Sequence, residues 1–353
     1  MLLKPIKINK VKLANRVVVA PMCQYSAMNG NLTKWHYKHL SKLTAAGAGM
    51  VMMESTAISN QGRISLKDLT LKNKANENSF KKILIYLKKI RNISFGIQLS
   101  HAGRKGSSEI PWIKSNTALK EKQKAWITFA PSSIRRDINW PLPTELTTKQ
   151  IKKIISDYKN SAIRAKRAGF DCLEIHMAHG YLLHQFFSPI SNKRTDNFGG
   201  TLEKRCRLLV EVIREVRKVW PKDKILGARI TGSDWLRGGI AINDSVYLVK
   251  KLKKQGLDYA CVSSGGIIPK TKIIFKPGYQ VHLAQKIKEK TGIITRTAGM
   301  ITSYDQASKI IKNRSADLVV VARSFINNPN WLVKNYKKVK QKIKIPNQYK
   351  RCF

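Results

Sequence analysis

The sequence predicts an α/β fold: one (β/α)8 TIM barrel with an N-terminal lid and a capping insertion after the third strand. Three observations carry this. Eight short apolar, β-branched runs recur along the 353 residues, amphipathic segments with helix start and stop signals lie between them, and no linker rich in Pro, Gly or Ser divides the chain. A doubly wound open sheet is the rival. It would need a G-x-G-x-x-G phosphate turn early in the chain, and none is present.

In order, residues 5–15 are short, basic and partly alternating, which suits a lid over one end of the domain. Arg16-Val17-Val18-Val19-Ala20-Pro21-Met22 is a compact β-branched run ended by proline and reads as the first buried strand. Runs at 49–53, 94–99, 170–175, 224–230, 257–262, 293–297 and 316–321 follow, predominantly apolar as expected of parallel strands covered on both faces. Thr147-Thr148-Lys149-Gln150 is a capping-box start that leads into Ile151, Ile154, Ile155, Tyr158 and Ala162 at helical spacing, with Gly169 placed to stop the helix. Thr201 opens a second helix carrying Leu202, Leu208, Leu209, Val212, Ile213 and Val216 on one stripe, halted near Pro221. Further helices are predicted around 244–255, 280–291, 303–313 and 329–340. The long irregular stretch 103–146 holds Pro111, Pro131, Pro141, Pro143 and several tryptophans. Loops of that length are commonly functional, so it is expected to fold as a cap beside the barrel mouth.

Composition narrows the function. A formal charge of +46 and a pI near 10.3 suit a polyanion partner, but lysines are spread over nearly every helix, as at Lys81-Lys82, Lys152-Lys153, Lys250-Lys251 and Lys337-Lys338. With no aromatic-interleaved basic patch, a solvated lysine-rich surface is the favoured reading and nucleic acid the disfavoured one. The five cysteines (Cys23, Cys172, Cys206, Cys261, Cys352) show no C-x-x-C pairing, so neither a disulfide framework nor a zinc or iron–sulfur site is expected. No apolar h-region follows Met1-Leu2-Leu3-Lys4-Pro5 and no run is long enough to span a bilayer, which makes a soluble cytoplasmic protein the expectation.

In a barrel, the residues just past each strand share one rim. Here these are Ala20, Pro21, Met22, Cys23 and Tyr25; Ser55, Thr56 and Ala57; Gln98, His101 and Arg104; His176, His179 and Tyr181; Arg229; Ser263, Ser264 and Gly265; Gly299 and Met300; and Ala322-Arg323. Small residues and an arginine after the last two strands suit a phosphate, or equally an ordinary turn followed by a surface arginine. Gln98 and Arg229 suit a planar heterocycle lying across the rim, or a polar network between strands. His176 and His179 lack a third ligand at a recognisable zinc spacing, so a grip on a carbonyl or phenolate oxygen fits better than a metal. Tyr181 beside them is a candidate proton donor. Cys23, a single thiol after a strand, is by itself as readily a packing group as a reactive one.

Several motifs in order carry a family resemblance over nearly the whole chain: Ala20-Pro21-Met22-Cys23-Gln24-Tyr25-Ser26, Gly96 to Lys105, His176 to Tyr181, Ser188-Pro189 to Gly200, and Ser233-Asp234-Trp235. On these the chain resembles the Old Yellow Enzyme family of FMN-dependent ene-reductases, within its thermophilic-like NADPH dehydrogenase subgroup. The resemblance implies that the Ala20–Cys23 backbone (Ala20, Pro21, Met22, Cys23), Ala57, Gln98 and Arg229 contact the isoalloxazine, and that Gly299, Ala322 and Arg323 hold the FMN phosphate. It implies that Cys23 tunes the flavin, that Tyr25 orients substrate opposite His176 and His179, and that Arg351 enters a neighbouring subunit's site in a homodimer or homotetramer. The implied chemistry is ping-pong: NADPH reduces the flavin, an α,β-unsaturated carbonyl held by the two histidines takes the hydride at its β-carbon, and Tyr181 or water protonates the α-carbon. Ala322 replaces the family's usual glycine, and Cys352-Phe353 differ from the usual ending.

Other readings separate cleanly. A 2,4-dienoyl-CoA reductase-like enzyme would carry a cluster of cysteines and further domains after the barrel. A tRNA-dihydrouridine synthase-like enzyme would show a Cys-Pro loop after the third strand, where this chain has His101-Ala102-Gly103. A non-enzymatic basic scaffold would take up no FMN.

Overall fold

All eight predicted runs become parallel strands of one closed barrel in a computed structural model, which describes residues 1–335 and residue 351. The chain opens with a hairpin, β1 (Ile6–Ile8) and β2 (Val11–Leu13), then enters the barrel at β3 (Val17–Val19). Helix α1 (Lys34–Ala45), β4 (Met50–Ala57), α2 (Lys74–Ile90) and β5 (Ser94–Ser100) follow. The insertion contributes the short α3 (Pro111–Lys114), β6 (Phe129–Ala130) and β7 (Thr144–Glu145). Then come α4 (Thr148–Ala168), β8 (Cys172–Met177), α5 (Leu182–Phe187), α6 (Leu202–Val219), β9 (Ile225–Thr231) and α7 (Ile242–Lys254). The chain continues with β10 (Tyr259–Ser263), α8 (Val281–Thr291), β11 (Ile294–Thr297), α9 (Tyr304–Lys312), β12 (Leu318–Val321) and α10 (Arg323–Asn327). Barrel order is β3-β4-β5-β8-β9-β10-β11-β12, closing back on β3.

Successive side chains on a strand point to opposite faces, so each apolar run feeds two cores. Val17, Val19, Val51, Met53, Ile97, Leu99, Leu173, Ile175 and Ala260 pack outward under the helices. Val18, Met50, Met52, Cys172, Ile225, Tyr259, Cys261 and Leu318 fill the lumen, where Ile8 and Leu13 of the hairpin join them. The hairpin is tied beside the start of β9, with the Lys10 N–H donating to Asp223 O (3.1 Å) and Asn9 Nδ2 to Lys224 O (3.1 Å). The hairpin therefore packs at the amino ends of the strands.

Helix α4 starts and stops where the sequence places it: the Thr147 side chain accepts from Gln150 N, and Gly169 closes the helix at φ 101°. An aspartate entering three strands clamps the strand before it. Asp171 accepts from Phe95 N (3.0 Å), Asp258 from Leu226 N (2.7 Å) and Asp317 from Thr295 N (3.0 Å).

The expected helix at 329–340 is not formed in its described part. The helix after β12 is α10, and residues 329–335 make turns and a 3-10 turn, Val333–Asn335. Trp331 explains this: its ring packs edge-on to Phe325 at 5.5 Å and its Nε1 donates to Thr302 O at 2.7 Å, which folds the chain back onto the barrel.

Side-chain bonds tie the insertion to other loops of the barrel. Arg194 donates to Pro131 O (2.9 Å), Leu146 O (2.7 Å) and Glu145 (3.0 Å), while Arg104 donates to Ile134 O (3.1 Å) and Ile267 O (2.8 Å). The insertion is thus pinned to the loops after β8 and β10.

Candidate active site

His176 is the last lumen-facing residue of β8, beside Arg229 of β9 in register. Past Met177 the chain turns sharply through His179 (φ 59°) and Gly180 (φ 71°). A Cβ on Gly180 would lie 2.1 Å from Gly266 O, so glycine is required for this turn to press against the loop after β10. Below it, Gly180 N donates to His184 Nδ1 (2.7 Å), and His184 Nε2 lies 2.9 Å from Asp234, both side chains fully buried.

Hydrogen bonding fixes the tautomers. Ala178 N can only donate, so His176 Nδ1 is an acceptor and its proton sits on Nε2. His176 Nε2–H then donates to His179 Nδ1 (3.2 Å), leaving His179 Nε2–H to donate to Ser263 Oγ (2.6 Å). Burial, and then the cations Arg229 and Lys105, push both imidazoles well below the ordinary histidine range. They are neutral donors. Tyr181 stands edge-on to His176 with ring centroids 4.7 Å apart, and burial, reinforced by Cys23 and Tyr25, holds its hydroxyl well above the usual phenol range. Lys105 donates to His179 O (2.7 Å) and lies 4.8 Å over the Tyr181 ring. Burial, then Arg136 and Arg104, bring its ammonium down to about 7.

Opposite, Cys23 is half-buried, and burial followed by Glu54 and Asp68 raises its thiol well above the usual range. It is a neutral thiol rather than a nucleophilic thiolate. Its loop is anchored by Gln24 N donating to Glu54 (2.9 Å), which also lies 3.3 Å from His36. Tyr25 (φ 46°) meets Trp112 of the insertion edge-on at 6.0 Å, and burial raises its phenol as well. Ala57 is buried in the wall, bonded to Leu69 O (2.8 Å) and to Leu71 N (2.9 Å). Gln98 Nε2 donates to Glu174 Oε1 at 2.7 Å.

From this mouth a cavity of about 520 Å³ runs toward the last two strands, within the roughly 300–1,000 Å³ usual for cofactor pockets. Its walls bring together Ala20, His179, Arg229, Gly299, Ala322 and Arg323 of the expected site, and add Ser263, Ser264, Phe275, Tyr279 and Gln280. Arg229 Nε, Ser264 Oγ and Gln280 Oε1 are buried without a partner, donors and acceptors available to a ligand. Gly299 (φ 108°) leaves bare backbone where a Cβ would stand 3.2 Å from the Tyr279 ring, whereas Ala322 has φ −113° and carries its Cβ without left-handed strain. Pro21, Met22, Cys23, Tyr25, Ala57, Gln98, His176 and Tyr181 do not line this cavity; Met22 lines a small cleft with Glu54. Arg351 is exposed, and the rest of the terminal tail lies outside the described residues. Sequence reasoning passed over Phe275, Tyr279 and Gln280, which sit beyond the strand ends in a loop and a helix start that carry no motif.

An open hollow of about 550 Å³ at the carboxyl ends of α4 and α6 is lined by Lys166, Arg214, Arg217 and Trp220. Its Arg217 is already bonded to Gly256 O (3.0 Å) and Asp258 (2.7 Å). Among the described residues no group of three or more His, Cys, Asp or Glu is arranged to hold a metal, and no helix is long and apolar enough to cross a membrane.

Comparison with known proteins gives the family and the fold. Residues 1–342 match the model of the NADH:flavin oxidoreductase / NADH oxidase family. An NADPH dehydrogenase of Listeria monocytogenes is 39% identical over 351 residues, covering 98% of this chain and 97% of that protein. One from Bacillus subtilis is 38% identical over 352 residues, covering 99% and 98%. Among solved structures, morphinone reductase in complex with tetrahydroNAD superposes with a TM-score of 0.78 at 23% identity, covering 98% of this chain and 92% of that one. The Old Yellow Enzyme homologue from Zymomonas mobilis gives 0.79 at 21% identity, covering 98% and 94%.

Proposed function

The chain belongs to the NADH:flavin oxidoreductase / NADH oxidase family, of the Old Yellow Enzyme type, and on that premise we propose that it reduces the C=C bond of α,β-unsaturated carbonyl compounds with NADPH. The observation that carries the proposal is a pair of neutral, tautomer-fixed imidazoles beside a neutral tyrosine, at the mouth of a cavity that Arg229 and Arg323 both line.

FMN fits the residues present. Of the cavity lining, Arg323 with the backbone at Gly299 and Ala322 would hold its phosphate, and Ala20 and Arg229, with its orphaned Nε, part of its ring system; Pro21, Met22, Cys23, Ala57 and Gln98, which lie outside that lining, are assigned to the ring by the family resemblance alone. When bound, FMN supplies the hydride acceptor and donor that no side chain here offers.

The side chains do the rest. His176 Nε2–H is committed only to its neighbour His179, so a substrate oxygen can take that proton's hydrogen bond, while His179 would give its own Nε2–H by releasing Ser263. Two donors on one carbonyl oxygen draw electron density from the conjugated alkene and ready its β-carbon for hydride. The Tyr181 hydroxyl, held protonated, is placed to deliver a proton to the α-carbon. Lys105 above the Tyr181 ring offsets the negative charge left behind. With one mouth flanked by the insertion and the loop after β10, NADPH and alkene occupy it in turn, which is the ping-pong order. A homodimer or homotetramer, with Arg351 entering a neighbour's mouth, belongs to the same reading and is tested by sedimentation of wild type against Arg351→Ala.

The purified protein is expected to be yellow and to oxidise NADPH faster when cyclohexenone or a maleimide is added. No stimulation by any alkene of such a panel overturns the proposal.

A further inference from the structure

The turn that carries His179 and Tyr181 does not hold itself. His179 (φ 59°) and Gly180 (φ 71°) are consecutive residues in the left-handed region, a conformation that a residue with a bulky side chain keeps only where its surroundings enforce it. Here buried side chains enforce it. Gly180 N donates to His184 Nδ1 (2.7 Å), Gly180 O accepts from Gln185 Nε2 (2.7 Å), and His179 O accepts from Lys105 Nζ (2.7 Å). His184 and Gln185 are fully buried on α5, the helix that begins directly after Tyr181. The turn is gripped by the helix it leads into.

One orientation of His184 serves this grip. Gly180 N can only donate, so Nδ1 accepts and the ring proton stands on Nε2, 2.9 Å from Asp234 Oδ1. Asp234 is itself tied down, its Oδ2 accepting from Ser188 Oγ (2.7 Å) and Ile240 N (2.9 Å). Gln185 Nε2 is shared with Ala102 O (3.2 Å), which fastens the turn to the loop after β5 as well. Without Nδ1 the Gly180 N–H would be buried with no acceptor, a state the chain escapes by relaxing the peptide between His179 and Gly180 out of its left-handed conformation. His179 and Tyr181 flank Gly180, so both would move. We propose that His184 and Gln185 are positioning residues for the substrate: by holding the two polar backbone groups of Gly180, they keep the His179 imidazole and the Tyr181 hydroxyl where they reach it. This rests on the reading that His176 and His179 grip the substrate oxygen.

The test titrates 4-chlorophenol into the flavin-loaded protein, reading its long-wavelength charge-transfer band, and measures FMN affinity separately by quenching of flavin fluorescence. His184→Asn keeps an oxygen acceptor near the place of Nδ1 and His184→Leu removes it, while both lose the Asp234 contact, so their difference reads the Gly180 bond. His184→Leu is expected to weaken phenol binding roughly tenfold, the scale of one buried hydrogen bond left unmade, with FMN affinity within about twofold of wild type, and His184→Asn to recover most of the loss. A merely structural role lowers both affinities alike. That result overturns the inference, as does undiminished phenol binding in His184→Leu or an equal loss in the two variants. If His184→Leu does not fold, Gln185→Met, which leaves Gly180 O without its donor, carries the comparison, with the same loss expected and undiminished binding overturning the inference. A wild type that raises no band with the phenol overturns instead the grip by His176 and His179.

Discussion

His176 has a single tautomer open to it because a backbone N–H occupies its Nδ1, and this small fact sets the chemistry of the mouth. Neutral donors grip an oxygen through hydrogen bonds rather than charge. Tyr181→Phe removes the proton donor and leaves the grip, so alkene-dependent turnover is expected to fall by about 10²-fold while reduction of the flavin by NADPH is unchanged; equal losses in both half-reactions, followed by stopped flow, would contradict its role. The histidines also make a pH prediction. His101 is drawn down to about 4 by burial, and His176 and His179 lie well below the ordinary value. Unfolded, each takes up a proton near pH 6.5; folded, it does not. Stability is thus fully present above about pH 6.5 and falls as the pH drops toward 4, by about 1.4 kcal/mol per unit for each histidine. A Tm flat from pH 7 to 5 counts against it. At this scale the sequence shows His176, His179, Tyr181, Arg229 and Arg323, because each ends a strand or follows one. It hides His184 and Gln185, since neither ends a strand and their hold on Gly180 shows only once the turn is folded.

The strands were legible because parallel strands in a barrel are apolar on both faces, and all eight stand where the runs lie. Boundaries moved where side chains beyond the run decide them. The first run narrows to Val17–Val19 because the residues after Ala20 leave the sheet to form the Cys23 loop, and the helix expected from Pro329 gives way to a turn fastened by Trp331. The structure of the insertion was not legible, because it depends on Arg104 within it and Arg194 outside it making bonds far along the chain. Element packing makes its own prediction at Gly227 of β9. A Cβ there would fall 2.0 Å from the Tyr259 ring, so Gly227→Ala is expected to displace that ring and cost about 1–3 kcal/mol in urea unfolding. Unchanged stability would mean that Tyr259 does not cross the lumen as described.

For the whole molecule, the +46 charge is a field rather than a site. It surrounds the cavity with positive potential and concentrates anions near the mouth, which NADPH feels and a neutral enone does not. Raising the salt from low to physiological strength is therefore expected to increase KM for NADPH several-fold and to leave KM for cyclohexenone nearly constant. Parallel changes in both would assign the effect to the fold. This consequence is readable from composition, but where the charge acts is not: the lysines are spread over the helices, and only the closed barrel shows which of the cations face the mouth.

The central claim is that His176 and His179 hold the substrate oxygen against the flavin, and a phenol titration tests it most directly. Adding a phenol to the yellow protein is expected to raise a long-wavelength charge-transfer band, and replacing both histidines by alanine to abolish it with FMN still bound. A band of undiminished strength in the double variant would contradict the claim.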